Sequence, residues 1–184
     1  MTHHRRRNNG IDPSKINETV ELSPAQRYAA FKQTQAKQRT VAAEFARSMP
    51  FELDEFQMQA NDALEAGDNV LVAAPTGAGK TVAADFAIYL AQTRNVKAFY
   101  TTPIKALSNQ KYHDLVDQYG TDKVGLLTGD TSINSEADIV VMTTEVLRNM
   151  LYEHSVTLEA LRYVILDEVH YLADRFRGPV WEEV

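Results

Sequence analysis

Three features of this sequence predict an α/β fold with a mostly parallel sheet covered by helices on both faces. Short apolar runs such as Val70, Leu71 and Val72 alternate with helix-like segments, which implies crossover connections rather than hairpins. A loop of small residues, Ala74 to Gly79, joins one such run to a helical pattern. An acid pair, Asp167 and Glu168, stands at the carboxyl end of the last apolar run, the edge where open α/β sheets bind ligands.

Taken in order, residues 1–22 are polar and interrupted by Pro13, so they read as a disordered or loosely attached arm; Arg5, Arg6 and Arg7 within it read as a solvated charge run. Ser23 before Pro24 reads as a helix start, and no breaker follows until Pro50, which predicts one long helix over residues 23–49. Its apolar residues are sparse, so much of it should lie on the surface. Phe51 to Gln57 leads into a second helix that carries Phe56, Ala60, Ala63 and Leu64 at helical spacing, with Gly67 beyond its end. Beyond the loop, the pattern predicts a helix over 80–92, a strand over 96–102, a helix over 104–119, strands over 123–128 and 138–143, a helix over 144–153 and a final strand over 162–166. Residues 50–184 therefore form the expected domain.

The stretch NVLVAAPTGAGKTV, Asn69 to Val82, reads as a nucleotide-phosphate site. In the loop from Ala74 and Pro75 to Gly79, the residues Thr76, Gly77, Ala78 and Gly79 carry little or no side chain, so successive N–H groups can converge on phosphate oxygens at the positive end of the next helix. Lys80 supplies a point charge for the phosphates, and the Thr81 hydroxyl is placed to ligate Mg²⁺. Ala74 stands where the pattern GxxxxGK[ST] has its first Gly, which is tolerable at negative φ. In RYVILDEVH, Asp167 is the candidate for holding Mg²⁺ through its water shell, and Glu168 for orienting or deprotonating an attacking water. These residues imply a nucleoside triphosphate and Mg²⁺ as cofactors.

Composition bounds the rest. With 19 basic and 25 acidic residues the net charge is −6, so contact with nucleic acid would have to be local. The chain has no Cys, and His3, His4, His113, His154 and His170 show no metal-ligand spacing, so any metal should arrive with nucleotide. No apolar run approaches the ~18 residues of a membrane span and the N-terminus has no signal-peptide pattern, which together predict a cytoplasmic location and no membrane partner.

APTGAGKT, TTPIKALSNQK, LLTGD, MTTEVLRNM, DEVH and RGPVWEE, in that order, resemble the superfamily-two DExH-box RNA helicases of the superkiller (antiviral) group. The resemblance covers Phe51 to Val184 and implies the first of two RecA-like P-loop NTPase lobes, with ATP as the nucleotide and acting with RNA rather than DNA. By position it makes Phe51 a candidate to pack on adenine and Gln57 to bond its edge; read from the residues alone, Phe51 could equally be a hydrophobic staple before a helix. Thr102, Pro103, Lys105, Thr128, Gly129, Asp130, Thr143, Thr144 and Glu145 resemble segments lining the nucleic-acid strand, where hydroxyls, helix N-termini and one lysine suit sugar–phosphate contact. Thr144 before Glu145 also reads as a helix cap. His170 resembles the histidine that couples the ATP state to the nucleic-acid side. No second lobe, and so no arginine finger, follows Val184 in this sequence; the lobe alone is expected to bind nucleotide better than it hydrolyses it, and to leave an open sheet edge or apolar patch. Two alternatives stand beside this reading: a DNA helicase of the same superfamily, and a nucleotide-binding module complete in itself.

Overall fold

The computed structural model describes residues 23–37, 39–175 and 178–184. The predicted arm, with its three arginines, lies outside them. The chain divides into two units, residues 1–39 and 40–184.

In the first unit, helix α1 spans Pro24–Lys37. Its start is a reciprocal cap: the Ser23 Oγ accepts the Gln26 N–H at 3.3 Å, and the Ser23 N–H donates to Gln26 Oε1 at 2.8 Å. Tyr28 and Phe31 are exposed, and Lys32 lies over the Tyr28 ring.

The single helix expected over 23–49 is two helices. Helix α2, Val41–Ser48, has its own N-cap in Thr40, whose side chain accepts the Ala43 N–H. A carboxylate from 24 residues downstream completes that cap, because Glu65 Oε1 and Oε2 accept the N–H groups of Val41 and Ala42 at 2.9 and 2.7 Å. Helix α2 then packs Phe45 against Phe86 and Tyr89, with ring centroids 5.3 Å apart in both pairs. It belongs to the main unit, so the expected boundary at Pro50 moves to Thr40.

Helix α3 runs over Glu55–Ala66 and α4 over Thr81–Thr93. They are followed by strand β1 (Lys97–Thr102), helix α5 (Lys105–Tyr119), strands β2 (Val124–Thr128), β3 (Thr131–Ile133) and β4 (Ile139–Thr143), helix α6 (Thr144–Tyr152), strand β5 (Leu161–Leu166) and the short helix α7 (Gly178–Glu182). The sheet order is β3-β2-β4-β1-β5. All pairings are parallel except the β2–β3 hairpin, a short return that the sequence reading did not anticipate. The hairpin is possible because Gly125 has no side chain: a Cβ there would stand 2.1 Å from the backbone oxygen of Asn134.

Alternation along the strands fills two cores. Tyr100, Val124, Leu126, Ile139 and Val141 face Ile88 of α4 and Leu115 of α5, while Phe99, Val140 and Met142 face Leu147 of α6. Helices on both faces are thus as expected.

The apolar run Val70–Val72 is not a strand of this sheet. A strand is defined by its partner, and residues 68–75 have no strand, helix or turn pairing among the described residues. Leu71 is 78% exposed, and an open groove lined by Phe56, Ala60, Ala63, Val70 and Val72 separates this segment from α3. Strand β5 pairs with β1 on one side, and among the described residues nothing pairs with its other side; on one face of β5, Val164 and Leu166 are 44% and 38% exposed. No helix among the described residues is long and apolar enough to cross a membrane.

Candidate nucleotide and nucleic-acid site

The phosphate loop is shaped by two glycines with left-handed backbones, Gly77 at φ 84° and Gly79 at φ 75°. Ala74 is not among the positive-φ residues, so a methyl group there costs no backbone strain. Behind the loop, Gln57 in α3 is buried and makes two bonds: its Oε1 accepts the Asp54 N–H at 2.8 Å, and its Nε2 donates to the Gly79 carbonyl at 3.0 Å. A Cβ on Gly79 would stand 2.5 Å from that Nε2, so the close approach requires glycine. The amide that was expected at an adenine edge therefore also braces the loop. Phe51 is half exposed, and the N-cap of α3 is Asp54. The residue before that cap is Leu53, which packs against the Ala42–Phe45–Phe86 cluster, so Phe51 is not the staple.

Lys80 ends the loop. Its Nζ donates to the carbonyls of Ala74 and Pro75 at 2.8 and 3.2 Å, and among the described residues no carboxylate pairs with it. Helix α4 begins at Thr81, which is exposed, and has no acidic residue in its first turn. A lysine and a helix N-terminus are thus left with positive charge that only carbonyl oxygens answer.

At the end of β5, the Asp167 N–H donates to Thr101 O at 3.0 Å, which holds the strand's last turn against β1. Asp167 Oδ1 accepts the Glu168 N–H at 2.8 Å, and Oδ2 accepts the Tyr100 hydroxyl at 2.7 Å. Glu168, the second carboxylate of the pair, adopts a left-handed backbone at φ 57°, which is uncommon for a residue with a side chain. That carboxylate meets His170, whose Nδ1 is 3.0 Å from Glu168 Oε2, with both side chains substantially exposed.

The residues expected along the strand-binding face divide. Thr102 and Thr144 are buried and their hydroxyls are used internally. Thr102 Oγ1 bonds Ile104 O and Ser108 Oγ, and Thr144 Oγ1 donates to Thr102 O. The Thr102 hydroxyl ties β1 to the start of α5 and the Thr144 hydroxyl ties α6 to β1, so neither is presented to a ligand. Pro103 and Thr143 are half-buried, and Lys105, Gly129, Asp130 and Glu145 are exposed. Thr128, Gly129 and Asp130 form the β2–β3 turn, where Asp130 Oδ1 meets Lys105 Nζ at 2.6 Å and the Thr128 hydroxyl at 3.0 Å. The hydrogen bond from Lys105, then that from Thr128, holds the Asp130 carboxyl below its ordinary pKa. Glu145 lies 3.7 Å from Arg148.

The profile of DEAD/DEAH box helicases matches residues 54–184. The chain belongs to this family. It is 64% identical over 140 residues to the Mycobacterium tuberculosis protein named Probable helicase HelY, covering 76% of this chain and 16% of that protein. It is 53% identical over 139 residues to the antiviral helicase SKI2 of Saccharomyces cerevisiae, covering 76% of this chain and 11% of SKI2. Among solved structures, Mycobacterium smegmatis helicase Lhr bound to ssDNA and AMP-PNP superposes with a TM-score of 0.60 at 30% identity, over 76% of this chain and 21% of that one. The resemblance to the superkiller group is thereby borne out, and the chain spans only a small part of the helicases it matches.

This helicase-family site also contains residues that the sequence did not single out. Tyr100 is buried in β1 beneath Asp167, Lys111 of α5 lies 4.9 Å over its ring, and Lys111 pairs with Asp85 of α4 at 2.8 Å. Burial, then the Asp167 carboxylate, raises the Tyr100 hydroxyl above its ordinary pKa. The sequence signal was the alternation of β1, which puts Tyr100 on the face shared with Ile165 and hence with Asp167 two residues on.

Proposed function

We propose that this chain is the first RecA-like lobe of an ATP-dependent RNA helicase, binding MgATP between the 74–81 loop and the Asp167–Glu168 end of β5. One observation carries the nucleotide reading: Lys80 is an exposed ammonium with no carboxylate among the described residues, resting on two carbonyls of a loop beside an uncompensated helix N-terminus. Such a site suits a polyphosphate.

The residues present also fit magnesium that comes with the nucleotide. No group of three or more His, Cys, Asp or Glu side chains among the described residues could hold an ion by itself, whereas Thr81 and Asp167 offer the one or two oxygen ligands that Mg²⁺ usually takes beside phosphates. When bound, Mg²⁺ neutralises charge on the β- and γ-phosphate oxygens. The chain's own residues do the rest in this reading. Lys80 leaves the Ala74 and Pro75 carbonyls for a phosphate oxygen. Glu168, with its left-handed backbone, orients the attacking water and accepts its proton. His170, in contact with Glu168, links that carboxylate to the rest of the lobe. Phe51 and the remaining valences of Gln57 take the adenine.

Lys105, Pro103, the 128–130 turn, Thr143 and Glu145 form the strand-contacting face. RNA is favoured by the TTPIKALSNQK and DEVH segments and by the likeness to the Arabidopsis thaliana protein named DExH-box ATP-dependent RNA helicase DExH11, and the cytoplasm is the proposed compartment. The DNA reading is favoured by the likeness to Lhr, whose structure holds ssDNA. ATP turnover by the full-length protein, measured with RNA and DNA strands of matched sequence, tests the choice; stimulation by DNA alone would overturn the RNA reading.

A further inference from the structure

The Asp167 carboxylate is held at both oxygens, and the two donors differ in kind. The Glu168 N–H at Oδ1 is backbone and local, whereas the Tyr100 hydroxyl at Oδ2 comes from the neighbouring strand, 67 residues away. Tyr100 pairs in register with Ile165, so its ring lies along the sheet face and its hydroxyl reaches the residue two places further along β5. The ring is clamped from above by Lys111, and Asp85, one turn into the helix that opens at Thr81, fixes Lys111. A continuous set of contacts therefore runs from the acid pair through β1 and α5 to the phosphate-loop helix. A buried tyrosine that only filled the core would be matched by phenylalanine; here the ring is packed and the hydroxyl is spent on one specific carboxylate oxygen.

From this geometry we propose that Tyr100 is a positioning residue for magnesium: its hydroxyl sets the rotation of the Asp167 carboxylate, so that the oxygen lone pairs left free face the nucleotide's metal. The proposal rests on the reading of Asp167 as the magnesium-side carboxylate. A phenol is protonated at neutral pH and can donate here, and a metal-ligating carboxylate fixed by an outer hydrogen bond binds its ion without first losing rotational freedom. Without the hydroxyl, Oδ2 lacks its donor and the carboxylate can turn about its Cβ–Cγ bond. Lys111 and Asp85 act one step further back by holding the ring.

The test is binding of a fluorescent, non-hydrolysable ATP analogue to the full chain at stepped Mg²⁺ concentrations and in EDTA, for the parent, Tyr100→Phe, Asp167→Asn and the double variant. Relative to its own metal-free affinity, Tyr100→Phe should need on the order of tenfold more Mg²⁺ to reach half of the magnesium-dependent gain. The double variant should match Asp167→Asn, because the hydroxyl acts through that carboxylate. If Asp167→Asn shifts the magnesium dependence and Tyr100→Phe does not, Tyr100 is packing only and the proposal fails while the magnesium reading stands. If Asp167→Asn leaves the dependence at the parental value, the magnesium reading fails and takes the proposal with it. Should Tyr100→Phe not fold, the ring carbon bearing the hydroxyl, observed by NMR in ¹³C-tyrosine-labelled protein, should shift when Mg²⁺ is added to the nucleotide-bound parent and stay still in Asp167→Asn; no shift in the parent overturns the proposal.

Discussion

The side-chain amide of Gln57 donates to the carbonyl of Gly79 at 3.0 Å, so the helix before the phosphate loop and the loop itself share one buried hydrogen bond. Replacing Gln57 with Glu keeps an acceptor for the Asp54 N–H but turns an oxygen toward the Gly79 carbonyl. A buried donor lost in this way costs about 1–3 kcal/mol. Urea denaturation should show a loss of that size, accompanied by weaker nucleotide binding. An unchanged midpoint would mean that the loop does not depend on this brace.

Lys80→Ala should behave differently, since the ammonium touches only two loop carbonyls in an exposed segment. Stability should stay near the parental value. Nucleotide affinity should fall roughly tenfold to a hundredfold, the effect of losing a charge-assisted contact of about 1.5–3 kcal/mol. Equal affinities by fluorescence titration with Mg²⁺ present would show that the loop is not the phosphate site.

Asn61 lies one turn beyond Gln57 in α3, and both polar atoms of its side chain are buried without a hydrogen-bond partner among the described residues. Leucine has the same branched outline, with bulkier methyl groups, and no polar atoms to leave unsatisfied. Asn61→Leu should therefore raise stability by about 1–3 kcal/mol, read as a higher urea midpoint at an unchanged slope. A lower midpoint would mean that the amide has a partner in solution, such as an ordered water, or that the bulkier methyl groups overfill the site.

Glu168→Gln and Asp167→Asn should separate in the full-length protein. The amide at 168 keeps the shape but cannot take a proton from water at neutral pH, so turnover should drop steeply while MgATP affinity holds. The amide at 167 should weaken MgATP binding itself. Parental turnover in Glu168→Gln would reduce the pair to a strand end.

Lys105 and Asp130 meet at 2.6 Å on the face proposed for the nucleic-acid strand. Because the carboxyl of Asp130 is held below its ordinary pKa, the pair is formed throughout the neutral range; whatever it adds to stability is present above the unfolded value and is lost as pH falls through the folded one. A strand phosphate must compete with Asp130 for Lys105. Asp130→Asn should thus tighten single-strand binding several-fold at low salt and less at high salt. Weaker binding in Asp130→Asn would place the carboxylate, rather than Lys105, in the contact.

The parts of the site that were legible in the sequence are those whose partners lie close by in the chain. The 74–81 loop needs small residues, a lysine and a helix start in succession, and Asp167–Glu168 needs only an apolar strand before it. What could not be read depends on distant partners. The break at Thr40 has no proline or glycine to announce it, and it is stabilised by Glu65 from α3. Val70–Val72 has the composition of a strand, but composition does not supply a neighbour to bond. Thr102 and Thr144 look like hydroxyls offered to a ligand until the fold brings them together, at which point each is consumed inside. Tyr100 reads as an ordinary core aromatic, and only the register of β1 with β5 places it under Asp167.

The sheet order also constrains when the acid pair can come into being. Strand β1 sits between β4 and β5, both parallel to it and both later in the chain, so neither neighbour can be reached by a local hairpin, and the pairing most distant in sequence, β1 with β5, is also the one at the sheet's open edge. Among the strand pairs only β2 and β3 can close early, within about ten residues. The anchoring of Asp167 against Thr101 and Tyr100 must wait for β5 to dock, long after α4 and its preceding loop have been made. Amide protection during refolding should accordingly appear at β2–β3 before it appears at Asp167, and the phosphate half of the site should gain order ahead of the half that carries the acids.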